Sequence, residues 1–317
     1  MTQTQDSAVA IRKRRLRRSE LATPASNERM IASAAAGDAD LVFLDMEDAV
    51  APSEKVSCRA KVSEAMRTLD WGGKVRAARI NALSTPWGHD DVRHLIAECG
   101  NELDVIVVPK AETAADVHEL EQLVTQLERE HGIEQPLGFE FLIEDVRALI
   151  NCEQIATASP RMEAIIFGVG DLAASQGMRL FEFDGANDAF GGDPLAYART
   201  KIVVAARAAG IDAIDCPFGN YNDPETYRIQ AGRAAVLGAV GKWAIHPSQI
   251  PLAHAAFTPP APQVARARRL IEAIAEAEAK GLGAVTVDGE MVDIASAKIM
   301  QSIVDFDDLI AARARAE

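Results

Sequence analysis

Short apolar runs alternate with amphipathic stretches of helical period along most of the chain. Each run is continuous enough to be a strand that is buried on both faces, as the strands of parallel sheets are. Helical segments separate the runs, for example residues 117–132 and residues 197–210. The predicted strands are 18–24, 41–47, 74–81, 104–110, 137–144, 164–171, 211–217 and 242–247.

Eight strands in strict alternation with helices are typical of an α/β fold of the (β/α)8 TIM barrel type, and we expect residues 17–257 to form one. A Rossmann-type sheet is the competing fold. It is disfavoured because the GxGxxG turn that follows its first strand is absent, and PASN stands in that place. The length of 317 residues therefore predicts one barrel with a tail, not two independent domains.

The chain continues beyond the barrel as a C-terminal extension of residues 258–317. Prolines precede an alanine-rich helix predicted at 263–280. A hairpin follows at 283–293, because Asp288 and Gly289 give a two-residue turn signal between alternating residues, and a final helix comes last. The spacing leaves open whether this helix–hairpin–helix extension packs on its own barrel or forms a lid over a neighbouring subunit's site.

Composition places the chain among ordinary globular proteins, with 48% hydrophobic and 25% charged residues. The net charge of −14 argues against general nucleic-acid binding, which needs a basic surface. No apolar run approaches the roughly 18 residues of a membrane span. The four cysteines lie far apart without a CxxC pair, so we expect reduced thiols in the cytoplasm and neither a zinc site nor disulfides.

The N-terminal residues 1–16 are predicted to form a solvated basic arm, because six basic residues lie between positions 12 and 18. The segment that follows them is polar, so no secretory signal peptide is predicted. A transit peptide is a weaker alternative, since the start is rich in arginine and poor in acidic residues.

Polar residues gather where the predicted strands end. In barrels the carboxyl ends of the strands carry the chemistry and the opposite ends carry stability. We therefore expect these side chains to converge on one pocket. They are Asp45, Glu47, Asp48, Arg79, Asn81, Lys110, Glu144, Asp171 and His246.

Two carboxylates in this set, Glu144 and Asp171, follow adjacent strands and are spaced to share a cation. An all-oxygen donor set favours Mg²⁺ over zinc. The alternative is that Asp171 caps the helix beginning LAAS and that Glu144 pairs with a nearby arginine. Spacing alone leaves both open.

The basic residues of the pocket have two interpretations each. The planar fork of Arg79 could hold a carboxylate or an enolate oxygen, or could form a structural ion pair with Glu47 that also aims the guanidinium. Lys110 could contact an anionic substrate or phosphate, or could face solvent. For His246 a packing or hydrogen-bonding role is favoured, since no acidic or nucleophilic residue neighbours it in sequence.

Eight short motifs occur in order along almost the whole chain. They are 17–30 (RRSELATPASNERM), 43–55 (FLDMEDAVAPSEK), 79–81 (RIN), 108–110 (VPK), 141–145 (FLIED), 167–175 (FGVGDLAAS), 241–250 (GKWAIHPSQI) and 289–298 (GEMVDIASAK). Each motif alone is weak, but as an ordered set they resemble the HpcH/HpaI aldolase and citrate lyase β-subunit superfamily, and most of all its malyl-CoA and β-methylmalyl-CoA lyase branch.

The resemblance implies a Mg²⁺-dependent lyase, with Mn²⁺ as a possible substitute, that reversibly breaks a carbon–carbon bond of a 3-hydroxyacyl-CoA. Malyl-CoA would give acetyl-CoA and glyoxylate, and β-methylmalyl-CoA would give propionyl-CoA and glyoxylate. The alternatives on the same scaffold are an (S)-malyl-CoA thioesterase, a citramalyl-CoA lyase and a citrate lyase β subunit that works only within a complex.

The same resemblance implies roles for individual residues. Glu144 and Asp171 match the metal ligands, and Asp48 matches an acidic group that binds the waters of the metal. Arg79, aimed by Glu47, would stabilise the enolate oxygen.

The remaining matches concern the tail and the CoA. Asp293 matches an acid/base aspartate that a neighbouring subunit supplies, which implies a homotrimer or homohexamer. Ala25 stands where the family has glycine and Asn27 where relatives can have arginine, so the CoA diphosphate is expected at Arg18 or Arg29 instead. Further positions expected at the substrate are Ala25, Ser26, Lys110, Gly170, Ile245 and Pro247.

Overall fold

The computed structural model describes residues 13–178 and 193–316. The chain divides into two compact units, one ending at Phe257 and the other beginning at Thr258. The segment 181–193, which is rich in glycine and aspartate, lies outside the described residues except for Asp193.

The first unit alternates strands with helices throughout. The strands are β1 (Ser19–Pro24), β2 (Leu41–Asp45), β3 (Val75–Arg79), β4 (Val105–Val108), β5 (Gly138–Ile143), β6 (Met162–Phe167), β7 (Asp212–Asp215) and β8 (Gly241–Ala244). The helices are α1 (Glu28–Ala36), α2 (Lys55–Thr68), α3 (Gly88–Cys99), α4 (Ala114–His131), α5 (Val146–Ile150), α6 (Cys152–Thr157), α7 (Val169–Ser175), α8 (Ala196–Ala209), α9 (Pro224–Leu237) and α10 (Ile250–Phe257).

Each strand pairs in parallel with the next, and β8 pairs with β1, so the sheet closes into a barrel. The predicted (β/α)8 fold is confirmed. Helix boundaries follow local signals: α4, for example, begins with a capping box in which Thr113 and Asp116 satisfy each other's backbone N–H groups. We call the end of the barrel where the strands finish the mouth, and the opposite end the floor.

Most strands end before the predicted residue, and the differences at the mouth are largest for β6 and β8. β6 ends at Phe167, so Asp171 lies in the first turn of α7 instead of a strand. β8 ends at Ala244, so His246 precedes a short 3-10 turn. The apolar run continues past Phe167, but Val169 in this run is buried as part of α7. A continuous apolar run alone does not distinguish a buried strand from a buried helix.

The barrel has an apolar middle layer inside its strands. The rings of Phe43 on β2 and Trp243 on β8 lie 4.5 Å apart between centroids, although β1 separates their strands. They therefore meet across the barrel interior. The outer strand faces carry a second apolar layer that packs against the helices, and this layer includes Val42, Leu44 and Phe141.

A charged cluster fills the barrel below these rings. Arg17, which is 1% exposed, lies 2.7 Å from Glu163, 3.0 Å from Glu140 and 3.0 Å from Asp212, measured between side-chain nitrogen and oxygen atoms. The Trp243 indole N–H donates to the buried carboxylate of Glu20 at 2.8 Å. Four carboxylates thus surround one arginine at the floor.

The predicted solvated arm is wrong for its last residues. The Arg15 guanidinium donates to Asp104 and Glu163 at the floor, and Leu16 is buried. Arg18 forms a two-point ion pair with Asp40 at 2.8 and 2.9 Å. These residues come just before β1, and the first residues of a barrel strand lie at the floor, so their charges close the barrel there.

The second unit contains α11 (Ala261–Ala279), β9 (Ala284–Val287), β10 (Glu290–Asp293) and α12 (Ile294–Ala316). β9 and β10 pair antiparallel, and both turn residues, Asp288 and Gly289, have positive φ as a type I′ turn requires. Leu270 and Ile274 of α11 pack with Val292 of β10. In the described part of the chain, no helix is long and apolar enough to cross a membrane.

Candidate active site

A cavity of about 460 Å³ opens at the mouth. Its charged lining is Asp45, Asp48, Arg79, Glu144 and Asp171, supplied by or just after β2, β3, β5 and β6. Its apolar lining includes Met30, Leu142, Pro217, Trp243 and Ile245. The structure therefore brings five of the nine residues expected at the mouth to one pocket, whereas Glu47, Asn81, Lys110 and His246 do not line it.

Arg79 is held mainly by Asp45. Its Nε and Nη2 donate to the two oxygens of Asp45 at 2.8 and 2.6 Å, which is the paired geometry of guanidinium and carboxylate. The expected ion pair with Glu47 is also present at 3.1 Å from Nη1. From the sequence, Asp45 was one of three carboxylates expected to face a cation, either a hydrated metal or Arg79, and the structure makes it the group that orients Arg79.

The electrostatic environment keeps this arginine charged. Burial alone would lower the pKa of Arg79, but Asp45, Glu47 and Asp48 raise it above the ordinary value. The Arg79 guanidinium also lies over the Trp243 ring, 5.5 Å from its centroid. The cation is therefore fixed in place from two sides, with Nη1 turned towards Glu47 and Asp48.

The pKa values of Glu47 and Asp48 are shifted in opposite directions although the two residues are adjacent. Burial raises the pKa of Glu47, in opposition to Arg79 and Lys110. Burial would also raise the pKa of Asp48, but hydrogen bonding with Glu47 and the two nearby cations bring it below its usual value. The Asp48 side chain is 57% exposed, so this carboxylate is ionised and accessible from the cavity.

Glu144 and Asp45 are the two buried carboxylates of the pocket wall. Glu144 follows β5, and burial raises its pKa to about 8. Its Oε1 accepts the backbone N–H of Lys110 at 2.7 Å. Gly168 leaves room for it, because a Cβ at that glycine would lie 2.3 Å from the Glu144 Cβ and 2.8 Å from Oε2.

Asp171 projects from the first turn of α7 and its side chain is 47% exposed. The alternative in which Asp171 caps this helix is wrong, since Gly168 occupies the N-cap position. Among the described residues no cluster of three or more His, Cys, Asp or Glu side chains could hold a metal ion. Two carboxylates with room for water and substrate oxygens suit Mg²⁺, which rarely has an all-protein shell.

Lys110 lies among the acidic groups instead of facing solvent alone. Its ammonium makes a short contact with Glu47 and lies 3.4 Å from Asp48 and 3.8 Å from Asp171. These carboxylates raise its pKa against the opposing effect of burial. Its backbone has φ 57°, in the left-handed region.

The loop after β1 forms one side of the rim. Ala25 is buried and its N–H donates to Asp45 O at 2.9 Å, so the missing glycine leaves the turn intact. Ser26 accepts Lys61 Nζ through its backbone oxygen, and Asn27 caps α1 by accepting Met30 N–H at 3.1 Å. Arg29 is exposed on α1 and forms no ion pair with the described residues.

The expectation that Arg18 binds the CoA diphosphate is wrong, because Arg18 lies at the floor and pairs with Asp40. The position of Arg18 in the chain already indicates this, because a residue just before a strand lies at the end opposite the mouth.

The loop after β8 forms the other side of the rim. Ile245 lines the cavity, and Pro247 begins the 3-10 turn. His246 bonds Ser248 Oγ at 2.8 Å and stacks on Tyr221 with centroids 4.7 Å apart. This histidine has the hydrogen-bonding role that the sequence favoured, while Tyr221 was missed because nothing in its local sequence distinguishes it.

Asp293 belongs to the second unit, where it ends β10. Its Oδ1 accepts the N–H of Ser296 at 2.9 Å and the Ser296 hydroxyl at 3.1 Å. The backbone hydrogen bond and then the hydroxyl lower its pKa. Asp293 is therefore an exposed carboxylate at the start of α12.

Fold and mouth together define a (β/α)8 barrel enzyme whose pocket joins two carboxylates suited to a divalent cation with an arginine oriented by an aspartate. Residues 18–247 match the model of the HpcH/HpaI aldolase/citrate lyase family. The chain belongs to this family.

Individual relatives agree with that assignment. The L-malyl-CoA/β-methylmalyl-CoA lyase of Cereibacter sphaeroides is 42% identical over 304 residues, covering 93% of this chain and 96% of the relative. The citrate lyase subunit beta of Leuconostoc mesenteroides is 38% identical over 282 residues, covering 88% and 89%. The structure of CitE from Mycobacterium tuberculosis with magnesium, acetoacetate and coenzyme A has a TM-score of 0.71 at 29% identity, covering 92% and 97%.

Proposed function

We propose that this chain is a Mg²⁺-dependent lyase that reversibly cleaves a 3-hydroxyacyl-CoA to a short acyl-CoA and glyoxylate, with malyl-CoA or β-methylmalyl-CoA as substrate. The observation that carries the proposal is the placement of Glu144 and Asp171 in one cavity with the Asp45-oriented Arg79. The 42% identical relative named L-malyl-CoA/β-methylmalyl-CoA lyase supports the choice of substrate.

The donor set fits a hard cation. Glu144 and Asp171 would hold Mg²⁺ through carboxylate oxygens, with the ionised Asp48 accepting hydrogen bonds from its waters. When bound, the ion supplies Lewis-acid polarisation of the 2-oxo acid carbonyl. The raised pKa of Glu144 is consistent with a buried carboxylate that lacks a close cationic partner of its own.

Arg79 stabilises the enolate oxygen of the acyl-CoA. Asp45 takes Nε and Nη2, and Nη1 lies 3.1 Å from Glu47 and 3.5 Å from Asp48, so the enolate oxygen would share Nη1 with these carboxylates and receive one N–H, not a two-point fork. A preorganised donor of this kind is worth roughly 3 kcal/mol of transition-state stabilisation. The ion pair with Asp45 fixes the direction of that N–H before substrate arrives.

Asp293 transfers the proton at the acyl-CoA carbon. In the cleavage direction it gives a proton to the enolate carbon, and in the synthetic direction its carboxylate takes one from the methyl or methylene group. The lowered pKa of Asp293 favours the basic form when no substrate is bound. A neighbouring subunit supplies this residue, which makes the enzyme a homotrimer or homohexamer, and we place it in the cytoplasm, where its four buried free cysteines stay reduced.

An assay of the isolated chain on (S)-malyl-CoA with Mg²⁺ tests the proposal. The expected product is glyoxylate with acetyl-CoA, and malate with free thiol but no glyoxylate would identify a thioesterase instead. No reaction by the chain alone, together with activity on addition of an acyl-carrier partner, would identify a citrate lyase subunit, as in the 38% identical relative.

The Glu144→Gln variant connects this assay to the site. We expect at least about 100-fold weaker Mg²⁺ binding and a matching loss of cleavage, because a neutral amide replaces a charged ligand. Glu153→Gln, an exposed acidic residue of α6, is the control and should behave as wild type. An active Glu144→Gln enzyme would remove Glu144 from the ligand set.

A further inference from the structure

One residue touches both carboxylates assigned to the metal. The backbone N–H of Lys110 donates to Glu144 at 2.7 Å, and its ammonium lies 3.8 Å from Asp171 Oδ2. The ammonium also contacts Glu47 closely and Asp48 at 3.4 Å. Lys110 thus shares Glu47 and Asp48 with Arg79 and is also the cation that lies near Asp171.

The backbone at this position shows that the arrangement is held in place. Lys110 has φ 57°, a conformation that residues with a Cβ rarely adopt. Glycine would adopt it more easily but would carry no charge to the acidic groups. The side chain, being 41% exposed, can turn towards solvent without giving up buried packing.

The charges of the mouth explain what this ammonium does. Asp45, Glu47, Asp48, Glu144 and Asp171 are five acidic groups facing Arg79 and Lys110. Without a further cation, like charges repel one another across the cavity, and Lys110 is placed to reduce that repulsion. A divalent cation between Glu144 and Asp171 would in turn repel the ammonium.

We propose that Lys110 is a positioning residue that acts as an exchangeable counterion: its ammonium holds the acidic groups in the metal-free enzyme, and a divalent cation displaces it. The proposal rests on the metal site of the proposed function. Its consequence is that the enzyme binds the free metal less tightly than its carboxylates alone would, because each binding event must overcome the charge of Lys110.

Binding of Mn²⁺ to the full-length protein, without substrate and followed by electron paramagnetic resonance, tests this directly. Lys110→Met should bind Mn²⁺ about ten-fold more tightly than wild type, since a nearby positive charge is removed. Lys110→Arg keeps the charge and should stay within about two-fold of wild type. Lys74→Met removes the same charge just before β3, at the floor, and should leave the affinity unchanged.

Circular dichroism and thermal melting verify that each variant is folded. If Lys110→Met does not fold, Lys110→Gly replaces it, because glycine fits φ 57° without strain and the same tightening is expected. Unchanged or weaker Mn²⁺ binding by the neutral variant overturns the proposal. Equally tight Mn²⁺ binding by Lys110→Arg also overturns it. A raised KM of the neutral variant for malyl-CoA at unchanged metal affinity overturns it as well, because Lys110 would then be a substrate ligand.

Parallel assays keep the two proposals apart. A wild-type protein that binds Mn²⁺ but does not cleave malyl-CoA contradicts the proposed function alone. An active wild type whose Lys110→Met variant has unchanged Mn²⁺ affinity contradicts only the counterion role. A wild type that binds no Mn²⁺ contradicts both.

Discussion

Single side chains at the mouth act through the neighbours that hold them. Arg79 owes its direction to Asp45, and Glu144 owes its position to Lys110 N–H and to the space above Gly168. These supporting contacts are as specific as the reacting groups, because a small displacement of a charge in a partly buried site changes its interaction energy strongly.

Replacing Arg79 by lysine keeps the charge but loses the paired hydrogen bonds to Asp45. We expect kcat for malyl-CoA cleavage to fall about 100-fold, because the cation is no longer aimed at the enolate oxygen. Arg76→Lys is the matched control, since Arg76 is on the same strand but pairs with Asp104 at the floor. Near-normal turnover in Arg79→Lys would show that charge alone is sufficient.

Adding one methyl group at Gly168 should displace Glu144. The new Cβ would lie 2.3 Å from the Glu144 Cβ, so strand and helix must shift, at a cost of about 1–3 kcal/mol in stability. We expect Mg²⁺ affinity and cleavage to fall together. Gly232→Ala, in α9 with nothing within 4 Å of the added atom, serves as the control, and an active Gly168→Ala enzyme would contradict the close fit.

At the scale of elements, the interior of the barrel has three layers: charged groups at the mouth, the Phe43 and Trp243 rings in the middle, and charged groups at the floor. The floor carries more negative than positive charge. Glu140 lies 3.0 Å from an Arg17 nitrogen, yet neither of its oxygens accepts a hydrogen bond within the described residues. An ionised Glu140 is therefore poorly compensated.

The pH dependence of stability follows from Glu140 on β5. Burial raises the pKa of Glu140 to about 7, despite Arg17, from an ordinary value of 4.5. The folded state then binds more protons than the unfolded state between these values, so stability falls as pH rises through that window. We expect Glu140→Gln to melt within about 1 °C of wild type at pH 5 and several degrees higher at pH 8.

Thermal melts of both proteins at the two pH values check this expectation. A lower melting temperature for Glu140→Gln at pH 8 would mean that the ion pair with Arg17 outweighs the cost of burying the charge.

The order and type of elements could be predicted from the sequence because buried parallel strands and helices have different periods. Which residues face each other on neighbouring strands could not be predicted. Asp45 and Arg79 are direct register partners on β2 and β3, which no spacing along one chain reveals. Asp171 was placed on a strand because apolar residues continue into α7, and the left-handed backbone of Lys110 has no sequence signal at all.

For the molecule as a whole, the proposal that a neighbouring subunit supplies Asp293 makes the site depend on more than one chain. The first unit exposes large apolar residues on two neighbouring helices, Tyr197 and Val204 on α8 and Ile229 and Val236 on α9. Exposed apolar patches of this kind are common at contacts between subunits. Light scattering coupled to size-exclusion chromatography should give a trimer or hexamer.

Mixed oligomers test whether Asp293 acts in a neighbouring site. Asp293→Ala and Glu144→Gln are each expected to be inactive alone. After equal mixing and reassembly, about one quarter of the sites combine an intact Glu144 with an intact Asp293 from another chain, so about one quarter of the wild-type rate should return. Absence of rescue in verified mixed oligomers would contradict a shared site.

The closed floor also constrains when the protein can finish folding. Arg17 bonds a partner 195 positions later in the chain, and Glu20 bonds one 223 positions later. During synthesis Arg17 emerges early, and its partners Glu140, Glu163 and Asp212 exist only after most of the barrel has been made. One edge of β1, the first strand made, therefore stays unpaired until β8 has been synthesised. We expect folding on the ribosome to pass through an open barrel with two unpaired edges.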